Sequence, residues 1–295
     1  MRWLFVAALF VSVAVAVTTV AHQPLVPETR TTVRVATYNI HKGADRENTY
    51  DLRRTIAAIA AFDADLVGLQ EVMRNDAAFA CDDQAARIAA GLRTATGQPW
   101  TYVFVAGWTG ESHECQRRGR GDGPATEGVA LFAPGRILAS RWVQLSTWRR
   151  GLAAWIGAMP RRPIIVAHLT ANGENQPTRE REVAALMPWA RRLDAAIVMG
   201  DLNALPDATE MAPLQSAYRD AWPEAARHNR AAGVVSGATR PGRRLARIDY
   251  VFYDRDGLTL DGVDVVDTST PSGLTEVSDH RAVVATFRLP ASAVR

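Results

Sequence analysis

The pattern that decides the fold first appears in residues 33–43, Val-Arg-Val-Ala-Thr-Tyr-Asn-Ile-His-Lys-Gly. A strand-forming run ends here at Asn39, directly before a polar turn. The same arrangement, a short apolar run beside a polar side chain, recurs five more times along the chain. The polar residues of these five segments are Glu71, His168, Asp201 with Asn203, Asp249, and Asp279 with His280. Polar groups at strand ends open onto one edge of a sheet, where loops build sites on a rigid scaffold.

Helical segments alternate with these strands. Apolar periodicity predicts helices over residues 51–61 and about 179–193, the second with Thr178 as its N-cap and with Pro188 kinking or dividing it. The predicted strands are 33–38, 66–72, 129–133, 142–145, 153–159, 164–169, 196–199, 248–253 and 282–288. Short buried runs mixed with hairpin-like pairs predict an α/β fold with two packed sheets and helices outside.

Composition bounds the class of protein. The 295 residues are 47% hydrophobic and 22% charged, which excludes collagenous, disordered and disulfide-dense chains. The net charge of +3 is weak evidence for a nucleic-acid partner, because sequence does not show on which face charges lie. There is no internal repeat and no change of composition past residue 33. We therefore expect one domain over residues 33–295.

The N-terminus is the one compositional extreme. Residues 3–20 carry no charge, and a helix of that length reaches about 27 Å against the roughly 30 Å of bilayer hydrocarbon. Residues 1–21 are thus predicted to be either a cleaved signal peptide or a retained membrane anchor. Residues 22–32, with two prolines, are predicted to be a linker. Both alternatives predict export, to the periplasm or the medium, with or without a membrane anchor.

Cys81 and Cys115 are the only cysteines. An even count in an exported chain favours a disulfide between them, and the alternative is two independent buried thiols. Residues 117–123, rich in Gly and Arg, are predicted to form either a solvated loop or a loop that contacts substrate.

The residue types at the strand ends indicate metal-assisted acid and base chemistry. Carboxylate and amide oxygens suit Mg²⁺ or Mn²⁺, and His with Asp supply proton transfer beside the metal. The chain has no Gly-x-Ser-x-Gly elbow, no His-Glu-x-x-His, no phosphate-binding Gly-Lys-Ser/Thr loop and no dinucleotide fingerprint. These absences favour a hydrolytic metal site over other catalytic classes.

Six ordered motifs resemble the endonuclease/exonuclease/phosphatase superfamily, which includes deoxyribonuclease I. They are Thr37-Tyr38-Asn39-Ile40-His41-Lys42-Gly43, Leu69-Gln70-Glu71-Val72, Ala167-His168-Leu169-Thr170, Met199-Gly200-Asp201-Leu202-Asn203, Arg247-Ile248-Asp249-Tyr250-Val251 and Ser278-Asp279-His280-Arg281-Ala282-Val283. The resemblance spans residues 33–288. It implies a four-layer α/β sandwich, with two central mixed β-sheets flanked by helices and a metal-dependent site at their shared edge.

The resemblance also implies roles for individual residues. Glu71 corresponds to the principal metal ligand, for Mg²⁺ or Mn²⁺, with Asn39 and Asp279 completing or supporting the metal site. The remaining residues are implied to prepare the attacking water, bind the phosphate and shuttle protons. These are Asp201 and Asn203, His280 held by Asp249, and His168 held by Glu127.

Two positions depart from the family pattern. Gly128-Val129-Ala130 stands where many relatives read Gly-Asn-Ala, and Glu182 stands where relatives often carry Gln. Neither position belongs to the metal set, so we expect catalysis to persist and substrate preference to shift.

The superfamily hydrolyses DNA, RNA, sphingomyelin and phosphoinositides, and fold does not choose among them. The inositol-phosphatase pattern Trp-Cys-Asp-Arg is absent. A phosphodiesterase acting on nucleic acid is favoured over one acting on lipid or other small phosphoesters, and a non-catalytic protein that binds phosphorylated ligands is least favoured. No feature indicates an obligate protein partner, and we expect a monomer. The arginines that either meet phosphates or are only solvated are 117, 118, 120, 149, 150, 240, 243, 244 and 247.

Overall fold

The computed structural model describes residues 32–171, 175–241, 245–269 and 276–289. Two mixed β-sheets form its centre. Across the first sheet the order is β10 (Ala231–Gly233), β12 (Thr259–Val266), β13 (Ala282–Arg288), β1 (Thr32–Asn39), β2 (Leu66–Arg74), β4 (Thr126–Pro134) and β3 (Trp100–Thr109). Across the second it is β5 (Ile137–Ser146), β6 (Arg149–Ile156), β7 (Met159–His168), β8 (Ile197–Asp201), β11 (Asp249–Tyr253) and β9 (Arg219–Asp220). Strands β1 and β2, and strands β7 and β8, run parallel, whereas most other neighbours are antiparallel.

Helices cover both outer faces. The α-helices are α1 (Leu52–Ala61), α2 (Gln84–Thr96), α3 (Glu114–Arg117), α4 (Gln176–Arg192), α5 (Ala212–Ala217) and α6 (Ala221–Arg227), and short 3₁₀ turns span His41–Gly43, Ala77–Phe79 and Thr209–Met211. The first two helices pack on the first sheet, and α4 and α5 pack on the second. The predicted four-layer α/β sandwich is confirmed.

Alternation along the strands builds three apolar layers. In β1, Val33 and Val35 face the core between the sheets, while Ala36 and Tyr38 face the helices of the outer layer. Close approach of the sheets requires a glycine in β2. A Cβ on Gly68 would lie 2.7 Å from the branched side chain of Val166 and 2.5 Å from the Met199 side chain, so glycine lets the sheets meet closely there.

Several boundaries differ from the sequence prediction. Residues 153–159 are not one strand, because β6 ends at Ile156 and a two-residue turn precedes β7. Helix α4 begins at Gln176, not at Arg179, so Thr178 lies inside it and is not the N-cap. Proline in the first turn favours this earlier start, since its missing N–H has no helical partner there. Pro188 does not divide the helix.

The described part of the chain begins close to the predicted start of the domain. Strand β1 begins at Thr32, one residue before the expected start of the domain. The predicted leader, residues 1–21, and the rest of the predicted linker lie outside the described residues. Within the described ranges, no helix has the length and apolar character needed to cross a membrane.

The predicted disulfide between Cys81 and Cys115 is present. It joins the segment after the Ala77–Phe79 turn to helix α3, which opens the Gly and Arg rich loop. Asp122 ties the far end of this loop to the main fold, because its Oδ1 accepts a 3.0 Å hydrogen bond from Asn75 Nδ2. Arg117, Arg118 and Arg120 are exposed on the loop.

Candidate functional site at the shared edge of the two sheets

Strand register brings three of the predicted residues side by side. In the second sheet, His168 on β7 pairs with Asp201 on β8, and Asp201 pairs with Asp249 on β11. All three side chains are buried at the same sheet edge. The backbone ladder alone therefore assembles an acid and base cluster from residues that are far apart in the sequence.

Asn39 connects this cluster to the first sheet. Its Nδ2 donates to Glu71 Oε1 at 3.1 Å and to Asp201 Oδ2 at 3.0 Å, while its Oδ1 accepts from the backbone N–H of His41 at 3.0 Å. Rotating the amide by 180° would replace all three hydrogen bonds with repulsive contacts. Asn39 therefore orients carboxylates that come from both sheets.

Glu71 projects into the site from an irregularity in β2. The register between β2 and β4 shifts between Leu69 and Val72, and Glu71 has a left-handed φ of 55°. A bulge re-aims a side chain at a sheet edge. His41, Lys42 and Asn203 also have positive φ, of 46°, 60° and 50°. Backbone strain of this kind, about 1–3 kcal/mol per residue, clusters at functional sites.

The end of β8 and the turn that follows it hold Asp201 in place. Gly200 has a φ of +145°, and a Cβ there would lie 1.8 Å from the carbonyl oxygen of Ala167, so glycine is required for β7 and β8 to pair. The backbone N–H of Asn203 donates to Asp201 Oδ1 at 2.9 Å. Asn203 Nδ2 donates to Leu169 O at 3.0 Å, which anchors this side chain beside the cluster.

His280 is fixed by two contacts. Its Nδ1 lies 2.9 Å from Asp249 Oδ2, so the predicted pairing of these residues is present. Its backbone N–H donates to Ser278 Oγ, and the Ser278 hydroxyl donates to Asn39 O at 2.8 Å. The His280 Nε2 then points toward Asp201 Oδ2, 3.8 Å away. Hydrogen bonds through Ser278 therefore connect the Ser278-Asp279-His280 motif, which precedes β13, to the end of β1.

Burial and neighbouring charge separate the pKa values of the cluster. Burial, then Asp249, raises the pKa of Asp201 to about 7. Burial alone would lower the pKa of His280, but the carboxylates of Asp249 and Asp201 outweigh it and raise this pKa to about 10. Burial, with Arg149 nearby, lowers the pKa of His168 well below its ordinary value. The cluster thus offers a carboxylate that can take a proton beside a protonated imidazole.

Glu127 does not hold His168 as the resemblance implied. Within the described residues no hydrogen bond joins them. Instead Glu127 Oε1 accepts from Arg149 Nη1 at 3.1 Å, and its Oε2 lies 3.5 Å from Lys42 Nζ. The Glu127 carboxylate therefore pairs with two cations and not with His168, because charge-assisted hydrogen bonds are stronger than those between neutral groups. His168 Nε2 instead lies 3.6 Å from Asp201 Oδ2.

The structure brings one group of possible metal ligands together, and the resemblance implies another at Glu71 and Asp279. Ligand atoms of Asp201, Asp249 and His280 lie within 4.8 Å of one another, but these side chains are buried and the His280 Nδ1 is already bound to Asp249. Glu71 and Asp279 are only partly buried, at 20% and 27% side-chain exposure. Mg²⁺ keeps several of its waters, so partly exposed carboxylates fit it better than a closed cluster.

Sequence reasoning left the roles of Arg149 and Arg240 open and gave Lys42 no role. Lys42 Nζ lies 3.9 Å from Glu71 Oε2, and Arg240 Nη2 lies 4.0 Å from Asp279 Oδ2. Arg149 reaches the site through Glu127. Lys42 was identifiable because it is the only lysine and belongs to the first strand-end motif. Of the other candidate arginines, Arg247 is paired with Asp220 at 2.7 Å.

The fold has two packed mixed sheets with helices outside. A cluster of carboxylate, histidine and amide side chains lies at the common edge of the sheets. Together they define an α/β sandwich with an acid and base site. The chain belongs to the Endonuclease/Exonuclease/phosphatase family, whose model matches residues 36–280. Among curated proteins, none matches the chain.

Solved structures share the fold at low sequence identity. An endonuclease/exonuclease/phosphatase from Beutenbergia cavernae is 21% identical, with a TM-score of 0.66, over 88% of this chain and 72% of that one. A humanized D. rerio TDP2 is 18% identical, with a TM-score of 0.61, over 88% and 100%. The catalytic domain of human Nocturnin, with bound sulfate, is 20% identical, with a TM-score of 0.58, over 88% and 96%.

Proposed function

We propose that the protein is an exported, metal-dependent phosphodiesterase that acts most readily on nucleic acid. The observation that carries this proposal is the contact of Asn39 with both Glu71 and Asp201, because it unites a partly exposed carboxylate with a buried acid and base cluster. Hydrolysis of phosphoester bonds is the general activity of the family to which the chain belongs.

Each group of the site has a chemical task. Asp201 orients the attacking water and accepts its proton, as a carboxyl with a pKa of about 7 can do near neutral pH. His280, kept protonated by Asp249, donates a hydrogen bond to the phosphate and a proton to the leaving oxygen. Glu71 and Asp279 would hold Mg²⁺ or Mn²⁺, with Asn39 fixing Glu71. When bound, that ion supplies Lewis-acid stabilisation of charge on the phosphate oxygens.

The rim of the site supports nucleic acid over lipid. Lys42, Arg149 and Arg240 place positive charge beside the carboxylates of the site, which suits a chain of phosphates. The fold is also that of a D. rerio TDP2 solved with a single-strand DNA product, at 16% identity and a TM-score of 0.60. Hydrolysis of sphingomyelin or other small phosphoesters is the alternative that the first experiment separates.

Export is part of the same proposal. The uncharged stretch over residues 3–20 and the Cys81–Cys115 disulfide support it, because disulfides persist in oxidising compartments. Fractionation of the native host should find the protein outside the cytoplasm. Recovery with the cytoplasmic fraction would contradict this part of the proposal.

The test is an activity screen of the purified protein with Mg²⁺ or Mn²⁺. The substrates are supercoiled plasmid, RNA, sphingomyelin and a chromogenic phosphodiester. We expect hydrolysis of the nucleic acids and of the chromogenic diester, abolished by a chelator. Turnover of sphingomyelin alone would move the substrate to lipid. No turnover of any substrate with either metal would favour a protein that binds phosphorylated ligands without catalysis.

A further inference from the structure

An aromatic cleft of about 450 Å³ opens beside the candidate site. One part of its lining is apolar, and the other part is polar and mostly charged. Among the residues that define the cleft are Met73, Phe79, Trp108, Trp148, Lys42 and Arg149. A cavity of this size takes a small organic group such as a nucleobase. Nothing in the proposed hydrolytic chemistry uses these aromatic rings.

The two cations join the aromatic cleft to the catalytic carboxylates. Lys42 Nζ lies 3.9 Å from Glu71 Oε2 and 3.5 Å from Glu127 Oε2, so it stands between the metal-binding position and the cleft. Arg149 and Trp148 line a second, small hollow together with His168. A group in the cleft is therefore adjacent to the position that a reacting phosphate would occupy.

Trp148 is held by its backbone while its ring stays open to solvent. It lies in the two-residue turn between β5 and β6, and 54% of the residue is exposed. Its carbonyl oxygen packs on β3, where a Cβ on Gly107 would approach it to 2.7 Å. The hydroxyl of Ser146, at the start of the same turn, donates to buried Glu182 at 2.6 Å. The turn is thus anchored, which lowers the entropy lost when a ligand stacks on the ring.

We propose that the aromatic cleft binds the base of the nucleotide next to the reacting phosphate, with Trp148 as the stacking surface. This inference rests on the proposed phosphodiesterase function. It deepens that function by naming unpaired, single-stranded nucleic acid as the preferred substrate. In a duplex both faces of each base are covered by neighbouring base pairs, so a base must be unpaired before it stacks on a side chain.

The composition of the cleft favours a nucleotide over a lipid chain. A nucleotide offers a flat π surface and an anionic phosphate, which match the rings of Trp148 and Trp108 and the charges of Lys42 and Arg149. An acyl chain requires a continuous apolar lining, whereas Asp76 and Glu127 also line this cleft.

The test compares two exposed tryptophans. Binding of a fluorescein-labelled twelve-nucleotide oligodeoxyadenylate is measured by anisotropy in Mg²⁺, with Asp201→Asn in every protein to prevent cleavage. Trp148→Ala should weaken binding roughly 5-fold to 150-fold, the range that loss of one stacked base gives, and Trp148→Phe should keep most of the affinity. Trp142→Ala is the matched control, because Trp142 is 53% exposed on β5 and does not line the cleft. It should change the affinity less than twofold.

The substrate preference provides a second readout. The Asp201→Asn protein should bind the single strand more tightly than a duplex of the same sequence, and Trp148→Ala should remove most of this preference. Equal affinities for the Trp148→Ala and Trp142→Ala proteins would overturn the base-binding inference, even where plasmid cleavage upholds the proposed function. A loss of sphingomyelin turnover in Trp148→Ala with unchanged oligonucleotide binding would overturn it in favour of lipid. The proposed phosphoesterase activity, by contrast, fails if the wild-type protein hydrolyses no substrate of the activity screen.

Discussion

Glu182 Oε1 lies 2.6 Å from the hydroxyl oxygen of Ser146, from which it accepts a hydrogen bond. The same carboxylate accepts from the Thr170 hydroxyl at 2.6 Å and from the Thr170 backbone N–H at 2.8 Å. Ser146 precedes the turn that carries Trp148, and Thr170 follows His168 by two residues. Glu182, where relatives often carry Gln, therefore fixes the two loops that flank the site.

Removing this carboxylate should destabilise the protein. Glu182→Ala leaves one N–H and two hydroxyls, all partly buried, without their acceptor, so we expect a loss of roughly 3 kcal/mol in the free energy of unfolding. Glu182→Gln should lose less, because the amide oxygen can accept from the N–H while the hydroxyls accept from the amide N–H groups. Urea unfolding measures both. Glu180→Ala on the exposed face of the same helix is the control and should stay within about 0.5 kcal/mol of wild type.

Glu71 and Asp201 should respond differently to metal. If Glu71 chiefly holds the ion, Glu71→Gln weakens metal affinity and part of the lost rate returns at high Mg²⁺. If Asp201 prepares the water, Asp201→Asn lowers the rate at saturating metal by about 10² to 10⁴ or more, without rescue. The measurement is a Mg²⁺ titration of the initial rate for wild type and both variants.

The control for this titration is the melting temperature, which the nearly isosteric Asp201→Asn should change little. Rescue of Asp201→Asn by metal, with Glu71→Gln unresponsive, would show that the two roles are exchanged. Near-normal activity in both variants would remove the cluster around Asn39 from the catalytic site.

The disulfide should contribute substantially to stability. Closing the 34-residue separation between Cys81 and Cys115 stabilises the fold by roughly 3–4 kcal/mol in the chain-entropy model. The Cys81→Ser/Cys115→Ser double variant should lose about that amount in urea unfolding. Mass spectrometry of a nonreduced digest should find the two peptides joined. Two freely alkylated thiols in protein from its native compartment would contradict the bridge.

Binding of nucleic acid should weaken steeply with rising salt concentration. Each Lys or Arg that contacts a phosphate releases counterions, so Arg149→Ala and Arg240→Ala should each lower the slope of log K against log salt by about one. The slope comes from oligonucleotide binding at several salt concentrations. Arg288→Ala is the control. In the strand register Arg288 lies beside Thr32, at the end of β1 that is far from Asn39 and the site, so this variant should leave the slope unchanged. A flat salt response of the wild type would point away from nucleic acid.

His280 should stay protonated above neutral pH. With a pKa of about 10 in the folded protein against an ordinary 6.5, its proton stabilises the fold fully below pH 6.5, and this contribution is lost as the pH rises through 10. Burial by itself lowers the pKa of His280, and the Asp249 carboxylate is the main charge that outweighs this effect. Asp249→Asn removes that charge, so the pKa of His280 should fall. NMR titration of the His280 imidazole measures both proteins. An unchanged pKa in the variant would show that Asp249 does not set the charge of His280.

The sequence by itself determined the layers of the fold and most residues of the candidate site. Periodicity along a strand depends only on local burial, so strand β13 was predicted at its observed bounds. For the same reason the sequence placed Asn39, Asp201 and His168 at the ends of strands. Strand β3 was missed because it lies at the sheet edge and is only half buried over most of its length, which erases the alternation.

Only the tertiary structure decided which of these groups touch. Asn39 and Asp201 are 162 positions apart, and their contact depends on the packing of one sheet on the other. Glu127 is held by Arg149 and not by His168, because the turn between β5 and β6 places a guanidinium beside it. The aromatic cleft joins Phe79, Trp108 and Trp148 from three separate segments. Local patterns specify elements, whereas contacts between elements depend on register and packing, which a single sequence does not display.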